Sequence, residues 1–157
     1  MKIIKSTAIF DDDQKRKYRY ELIRVWDSSI KPLVVIGLNP SIADETRLDP
    51  TVTRCKNRAI EMGMGGLVML NIFALVSTDP GLLLEVEDPV GQRNDEFLKK
   101  YSKGYFVLAA WGNHGSLRGR SSQVKQMFSE LYCLDKNMSG EPKHPLYVAN
   151  KKKPKLF

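Results

Sequence analysis

Three short, mainly apolar runs constrain the fold of this chain more than any other feature of its sequence. They cover residues 33–36, 67–75 and 105–112, and longer, more polar segments separate them. A run that is apolar on both faces is typical of a strand buried inside a parallel sheet. Because helix-type segments lie between the runs, the sequence predicts a three-layer α/β/α fold with a small central, mostly parallel four-stranded sheet.

Local signals predict the elements around these strands. Two β-prone stretches, residues 6–10 and 18–25, flank the charged segment DDDQKRK and predict an N-terminal β-hairpin or a pair of edge strands. An aspartate followed by a proline is typical of a helix start, and it occurs at Asp49, Asp79 and Asp88. The remaining expected elements are helices over residues 51–62, 91–103 and 121–131, the first two ending at Gly63 and Gly104, and a last strand in either LYCL (131–134) or LYVA (146–149).

The length of 157 residues fits one domain. We expect it to span residues 1–150, with the motifs in residues 30–148 and a basic tail at 151–157, and to be a monomer. No apolar run approaches the roughly 20 residues that cross a bilayer, and the N-terminus has only a brief apolar stretch before three aspartates. We therefore expect no membrane segment and no secretory signal, and the two cysteines fit a reducing cytoplasm.

Neither a cofactor nor a metal is expected. The two histidines and two cysteines lack the spacing of a zinc site. The sequence also lacks the phosphate-loop motif, the G-x-G-x-x-G of dinucleotide sites and the G-x-S-x-G of serine hydrolases.

The positive charge is concentrated in the last third of the chain. The formal net charge is +7; residues 1–96 carry two more acids than bases, whereas residues 97–157 carry nine more bases than acids. Such a surplus either keeps the surface soluble or forms a face for a polyanion, because clustered lysines and arginines neutralise phosphates. Charge alone leaves both interpretations open.

Polar or glycine-rich residues follow the apolar runs, at the edge of a parallel sheet where ligands bind. The segments are GLNPS (37–41), Asn71, WGNHG (111–115) and KHP (143–145). GLNPS also fits an ordinary tight turn. Asn71 needs a partner from the backbone or from a ligand, since burying an unpaired amide costs on the order of 1–3 kcal/mol.

The order of these motifs resembles the uracil-DNA glycosylase superfamily. There, one strand ends in G-x-(D/N)-P, a second carries a base-reading asparagine, a third ends in an LLWG-like turn, and a His-Pro-Ser loop follows. This chain has GLNP, LVMLNIFAL, VLAAWGNHG and KHPLY in the same order, over residues 33–148. GLNPS, ADETRLDPT, LNIFAL and PKHPLY together resemble more closely an uncharacterised bacterial and phage branch, known as domain of unknown function 1643.

The resemblance implies a role for each matching residue. Asn39 would orient the attacking water, and His144 would hydrogen-bond the base carbonyl on which negative charge develops. Asn71 would pair with a flipped-out pyrimidine. The base pocket would also include Gly37, Leu38, Pro40, Ser41 and Phe73, and the phosphate contacts would come from Gly112, Asn113, His114, Gly115, Arg118, Arg120 and Lys143.

Several positions have a second interpretation or depart from the superfamily pattern. Asp44 and Asp49 are candidate auxiliary carboxylates, although Asp49 fits a helix cap as well. Phe73 fits the core as well as a base-binding surface. Leu146 stands where the superfamily has the serine of His-Pro-Ser. Ser41 replaces the bulky tyrosine of the best-known uracil-excising enzymes, which predicts room for a larger, 5-substituted pyrimidine.

The resemblance therefore implies a DNA glycosylase-like protein that hydrolyses the N-glycosidic bond of a flipped-out pyrimidine, either normal or modified, in DNA rather than RNA. Two alternatives stay open: a module of the same fold that binds nucleic acid or a base without chemistry, and an enzyme acting on free nucleosides or nucleotides. Salt separates the last from the others, because binding to a phosphate polymer weakens steeply as salt rises. The sequence identifies no protein partner.

Overall fold

A computed structural model describes residues 2–157 as an α/β fold built on one mixed sheet. The strands are β1 (Lys5–Phe10), β2 (Arg19–Val25), β3 (Leu33–Gly37), β4 (Gly66–Asn71), β5 (Phe106–Ala109), β6 (Tyr132–Cys133) and β7 (Lys155–Leu156). The helices are α1 (Pro50–Glu61), α2 (Leu82–Glu85), α3 (Asn94–Lys100) and α4 (Arg120–Lys125), with 3₁₀ segments at Asn113–Gly119 and Pro145–Tyr147.

The sheet has seven strands in the order β1-β2-β4-β3-β5-β6-β7. β3 is parallel to β4 and β5, and β5 is parallel to β6, whereas the pairs β1–β2, β2–β4 and β6–β7 are antiparallel. The α/β class is confirmed, but the sheet is larger than the four parallel strands expected. The apolar runs mark only the buried centre: β2 pairs with β4 and brings the hairpin into the sheet, and β7 adds a strand beyond β6.

Helices cover both faces of the central strands. Successive side chains of a strand point to opposite faces, so Val34 and Ile36 of β3 pack with residues of α2, α3 and α4, while Leu33 and Val35 pack against α1. Helix α1 contributes Val52, Cys55 and Ala59 to its cluster, and the opposite cluster includes Leu83, Leu98 and Val124. Burial on both faces is why these strands read as continuous apolar runs.

Only the first of the three Asp-Pro pairs begins a helix directly. Asp49 caps α1, since its side chain accepts a hydrogen bond from the Val52 amide at 2.8 Å. Asp79 and Asp88 instead accept amides two or three residues further along and close turns. Helices α2 and α3 therefore begin later than the Asp-Pro pattern predicts.

The ends of the helices agree with the sequence at α1 and differ further along. Helix α1 ends before Gly63, whose φ of +73° is the expected left-handed conformation. The helix expected over residues 91–103 is shorter at both ends: Gly91 has a φ of +90° before it begins, and Tyr101 already departs from helical geometry after Lys100. Helix α4 is also shorter than residues 121–131. LYCL forms β6, whereas most of LYVA lies in or beside a 3₁₀ turn.

The segment expected as a basic tail ends in an ordered strand. The Phe157 amide donates to the carbonyl of Leu131 at 2.9 Å, and the Phe157 ring lies edge-on to Trp111 with centroids 5.9 Å apart. Lys152 and Lys155 both form ion pairs with Asp135. Part of the basic surplus of the last third is therefore paired within the fold.

Two kinds of feature are absent from residues 2–157. No helix there combines the length and apolar character that crossing a bilayer requires. No three histidine, cysteine, aspartate or glutamate side chains come together in a way that would hold a metal ion. Cys55 and Cys133 are buried and free, and burial raises the pKa of the Cys55 thiol to about 12, so this thiol stays protonated at neutral pH.

Candidate functional site

A cavity of about 670 Å³ lies at the carboxyl edge of the parallel strands, within the size range of small-molecule sites. The loops that follow β3, β4 and β5 reach it, together with the segment that leads into the 3₁₀ turn Pro145–Tyr147. The sequence-predicted site residues that line it are Gly37, Leu38, Asn39, Pro40, Ser41, Asp49, Asn71, Gly112, Asn113, His114, Lys143 and His144. The fold thus brings together most of the residues singled out at the strand ends.

Backbone carbonyl groups fix the orientation of the Asn39 side chain. Its Nδ2 donates to the carbonyls of Ser77 at 2.9 Å, Pro40 at 3.2 Å and Leu75 at 3.3 Å. Because carbonyls only accept hydrogen bonds, the amide nitrogen must face them, which leaves Oδ1 as the remaining polar atom of the side chain. Asn39 therefore brings a fixed hydrogen-bond acceptor to the cavity it lines.

The imidazole of His144 also has one nitrogen bound to the backbone. Its Nδ1 accepts a hydrogen bond from the Leu146 amide at 3.2 Å, so the neutral ring carries its proton on Nε2. Burial lowers the pKa of His144, and the negative charge of Asp49 only partly opposes this. At neutral pH the ring is therefore neutral and brings an N–H donor to the cavity.

NMR of the imidazole nitrogens is expected to show His144 as the Nε2–H tautomer at pH 7, titrating below the usual value of about 6.5. Because the pKa is lower in the folded than in the unfolded state, the neutral ring contributes stability above the unfolded pKa. That contribution is lost as the pH falls through the folded pKa. The variant His144→Gln assigns the signal, and a ring protonated on Nδ1 at pH 7 would contradict this assignment.

Asn71 is buried at the end of β4 and has spare hydrogen-bonding capacity. Its Oδ1 accepts a long hydrogen bond, 3.4 Å, from Nη2 of Arg19, and its Nδ2 has no partner within residues 2–157. A Cβ at Gly37 would lie 3.0 Å from this Nδ2, so glycine leaves room for the amide. The backbone does not satisfy the side chain of Asn71, and its N–H groups are free for a ligand.

Ser41 and Asp49 form a pair on the wall of the cavity. Ser41 Oγ donates to one carboxylate oxygen of Asp49 at 2.7 Å, while the other oxygen accepts the Val52 amide in the helix cap. Both oxygens of Asp49 are thus engaged, and one of them forms the predicted helix cap. The short side chain of Ser41 is itself tied to this carboxylate.

Two arginines that the resemblance assigns to phosphates are used inside the fold. Arg118 donates to the carbonyls of Leu83, Leu84, Val86 and Glu87 around α2. Arg120 is buried, donates to the Ile72 carbonyl at 2.7 Å and pairs with Asp95. Neither lines the cavity, whereas Lys143 does and takes part in none of the ion pairs of residues 2–157.

Three further predicted site residues lie outside the cavity lining. Phe73 is fully buried in the core. Gly115 packs so closely on Trp111 that a Cβ would lie 2.0 Å from the indole Cδ1. Asp44 is buried, which raises its pKa, but hydrogen bonds from Thr46 and Arg47 outweigh this and hold that pKa well below its usual value.

Some lining residues were not among the predicted site residues, and Arg19, Trp111 and Tyr147 are the most informative of them. Arg19 belongs to the N-terminal hairpin, and the only sequence signal for it was the presence of an arginine within a β-prone stretch. Trp111 is buried and donates from Nε1 to Glu141 at 2.5 Å. Tyr147 is 82% exposed, and its ring centroid lies 5.8 Å from that of His144. The cavity therefore has a buried cation on one wall and an exposed aromatic ring beside His144.

Residues 19–146 match the family described as protein of unknown function (DUF1643). The match begins at the first residue of β2 and includes every cavity residue described above except Tyr147. Searches of curated proteins and of solved structures found no match.

Proposed function

We propose, for a chain that belongs to the DUF1643 family of proteins of unknown function, that the cavity at the sheet edge binds a flipped-out pyrimidine of DNA and hydrolyses its N-glycosidic bond. One observation carries this proposal. Asn39 and His144 line the same cavity. A hydrogen bond to the backbone fixes each side chain, so that the atom left for a ligand is an acceptor, Oδ1, on Asn39 and a donor, Nε2–H, on His144.

The strand topology supports the likeness to the uracil-DNA glycosylase superfamily. Within the sheet, β4, β3, β5 and β6 form a parallel block. GLNP follows β3, Asn71 ends β4 and WGNHG follows β5. The motif order that the sequence shares with that superfamily therefore falls at the carboxyl ends of neighbouring strands, where α/β sheets bind ligands.

The proposed reaction uses these two groups on opposite sides of the glycosidic bond. The Oδ1 of Asn39 accepts a hydrogen bond from a water molecule and holds it for attack on C1′ of the sugar. The bond from C1′ to N1 of the base breaks, and its electron pair passes to the base. The Nε2–H of His144 donates to the base carbonyl on which the negative charge develops. A neutral amide is a poor proton acceptor, so the proton of the water leaves to solvent.

Asn71 and Ser41 would determine which base enters. The unpaired Nδ2 of Asn71 donates to an acceptor on the base edge. Ser41 occupies little space on the wall, which leaves room for a substituent at C5 of a pyrimidine. The proposed substrate is accordingly a modified pyrimidine in DNA.

The test incubates the protein with single- and double-stranded oligonucleotides that carry a normal, a deaminated or a 5-modified pyrimidine. Abasic sites are then revealed by alkaline cleavage. We expect product from at least one modified substrate and a loss of about 100-fold or more in Asn39→Ala, the scale of a positioned catalytic group. Product formation that survives in Asn39→Ala would contradict the assignment of Asn39.

Binding in the same samples separates the two alternatives. Tight binding that weakens steeply with salt, without abasic product, would identify a nucleic-acid-binding module. Lys143→Ala is then expected to reduce the slope of log affinity against log salt concentration by roughly the contribution of one phosphate contact. Lys103→Ala is the control, because Lys103 does not line the cavity. Salt-independent binding of free nucleosides alone would identify a small-molecule enzyme.

A further inference from the structure

Arg19 is a buried cation in the wall of the cavity, and part of its hydrogen-bonding capacity is unused. The residue is 2% exposed. Nη1 donates to the Ala43 carbonyl at 2.9 Å, Nη2 reaches Asn71 Oδ1 only at 3.4 Å, and Nε has no partner within residues 2–157. A buried donor without a partner costs on the order of 1–3 kcal/mol, so a group that accepts from Arg19 would stabilise the site.

The charge of Arg19 also lacks a direct partner. None of the ion pairs in residues 2–157 includes it. Asp49, the carboxylate on the same cavity, has both oxygens engaged by Ser41 and by the Val52 amide. Burial lowers the pKa of Arg19 only to about 10, so the guanidinium stays charged at neutral pH. Buried charges are normally paired, whereas the carboxylates of Asp49 and Asp44 favour the charged Arg19 without forming a direct ion pair with it.

The neighbour of Arg19 adds further donors. Asn71 presents an unpaired Nδ2, and its Oδ1 already accepts from Arg19, which fixes the sense of the amide. This corner of the cavity therefore offers N–H groups on two adjacent side chains and a positive charge. An oxyanion, which accepts several hydrogen bonds at once, is the complementary group.

We infer that Arg19 and one N–H group of Asn71 Nδ2 form an oxyanion site inside the cavity, which binds a carboxylate or phosphate oxygen of the ligand. The second N–H group of that nitrogen is the one that donates to the base edge. The oxyanion site goes beyond base excision, since it would select an anionic ligand whether or not the cavity hydrolyses a glycosidic bond. An anionic substituent on the base and the phosphate of a nucleotide are its two possible sources.

A purely structural role for Arg19 is the competing explanation, and the chain contains a matched control for it. Arg24 lies on the same strand, is equally buried, and donates to the carbonyls of Asp44 and Arg47 in the loop that Arg19 holds through Ala43. Arg24 does not line the cavity. Arg24→Gln therefore weakens the attachment of the loop while leaving the proposed oxyanion site in place.

Calorimetry with two pairs of probes tests the proposal: uracil against uracil 5-carboxylate, and deoxyuridine against deoxyuridine 5′-monophosphate. We expect the anionic member of at least one pair to bind about tenfold or more tightly. The preference should disappear in Arg19→Gln and persist in Arg24→Gln. The pair that shows it identifies the source of the oxyanion, and circular dichroism checks the fold of both variants.

Equal binding within both pairs by the unaltered protein would overturn the proposal, and this result needs no variant to fold. A preference that is lost equally in Arg24→Gln would assign Arg19 to loop attachment alone. If Arg19→Gln does not fold, Arg19→Lys keeps the charge but loses the planar fork, and a preference that it leaves unchanged would also count against the site. Because these probes contain no oligonucleotide, their outcome is separate from that of the abasic-site assay.

Discussion

Replacing Asn39 by aspartate is expected to destabilise the folded protein at neutral pH and to lower the proposed base excision, although a carboxylate is the stronger base. The Nδ2 of Asn39 donates to three backbone carbonyls, those of Ser77, Pro40 and Leu75. A carboxylate has no N–H and would place a negative charge against them. We expect a loss of roughly 1–3 kcal/mol in the free energy of unfolding at pH 7, measured by urea denaturation.

The loss of stability in Asn39→Asp should become smaller as the pH is lowered. Surrounding carbonyl oxygens favour the protonated acid, so the pKa of the new side chain rises above its unfolded value of about 3.9. The protonated acid can donate one hydrogen bond, and the stability linked to it is fully present below the unfolded pKa. That stability is lost as the pH rises through the folded pKa. The difference from the unaltered protein should therefore shrink as the pH is lowered toward 4.

Asn113→Asp is the matched control for this substitution. Asn113 also lines the cavity, but its Oδ1 accepts a hydrogen bond from Ser139 at 2.6 Å, which a carboxylate would keep. We expect its stability to change little between pH 4 and pH 7. An Asn39→Asp variant that is as stable as the unaltered protein at pH 7 and excises bases faster would show that the carbonyls do not control this side chain.

The sequence was most informative where burial and chemistry coincide at a strand end. The continuous apolar runs predicted β3, β4 and β5, because both faces of these strands are covered and any polar residue within them is costly. For the same reason Asn71 stood out in the second run. Its burial beside a cavity follows from the rule that parallel strands end at a common edge.

Arg19 shows what the sequence did not contain. It reaches Asn71 because β2 pairs antiparallel with β4, and β4 lies more than forty residues further along the chain. Nothing in the local pattern of residues 18–25 predicts that pairing, since β-prone stretches identify a strand but not its neighbour. The buried cation of the cavity could therefore be found only from the fold.

Arg118 and Arg120 show the opposite case, in which a local pattern suggested a ligand contact. Both follow a glycine-rich loop of the kind that surrounds phosphates. In the structure their guanidinium groups donate to carbonyls at α2 and after β4 that have no partner in a helix or sheet. Which backbone groups need such donors depends on where each helix and strand ends, and the sequence does not fix those ends residue by residue.

The largest loss of stability is expected at Phe73, which the family resemblance placed in the base pocket. Its side chain is fully buried, in the core cluster that also contains Leu70 and Leu83. Truncating a buried phenylalanine to alanine typically costs about 3–5 kcal/mol, because the lost burial is compounded by a cavity. We expect Phe73→Ala to lower the free energy of unfolding by that amount in urea denaturation.

Phe73→Leu distinguishes a core residue from a base-stacking one. Leucine keeps an apolar side chain of similar burial but has no aromatic face, so it would remove stacking, which is worth about 1–3 kcal/mol per base in single-strand binding. Because Phe73 does not line the cavity, we expect the leucine variant to fold and to bind deoxyuridine 5′-monophosphate within about twofold of the unaltered protein. A folded Phe73→Leu variant whose affinity falls tenfold or more would instead place the ring against the base, which requires the core around it to open when the ligand binds.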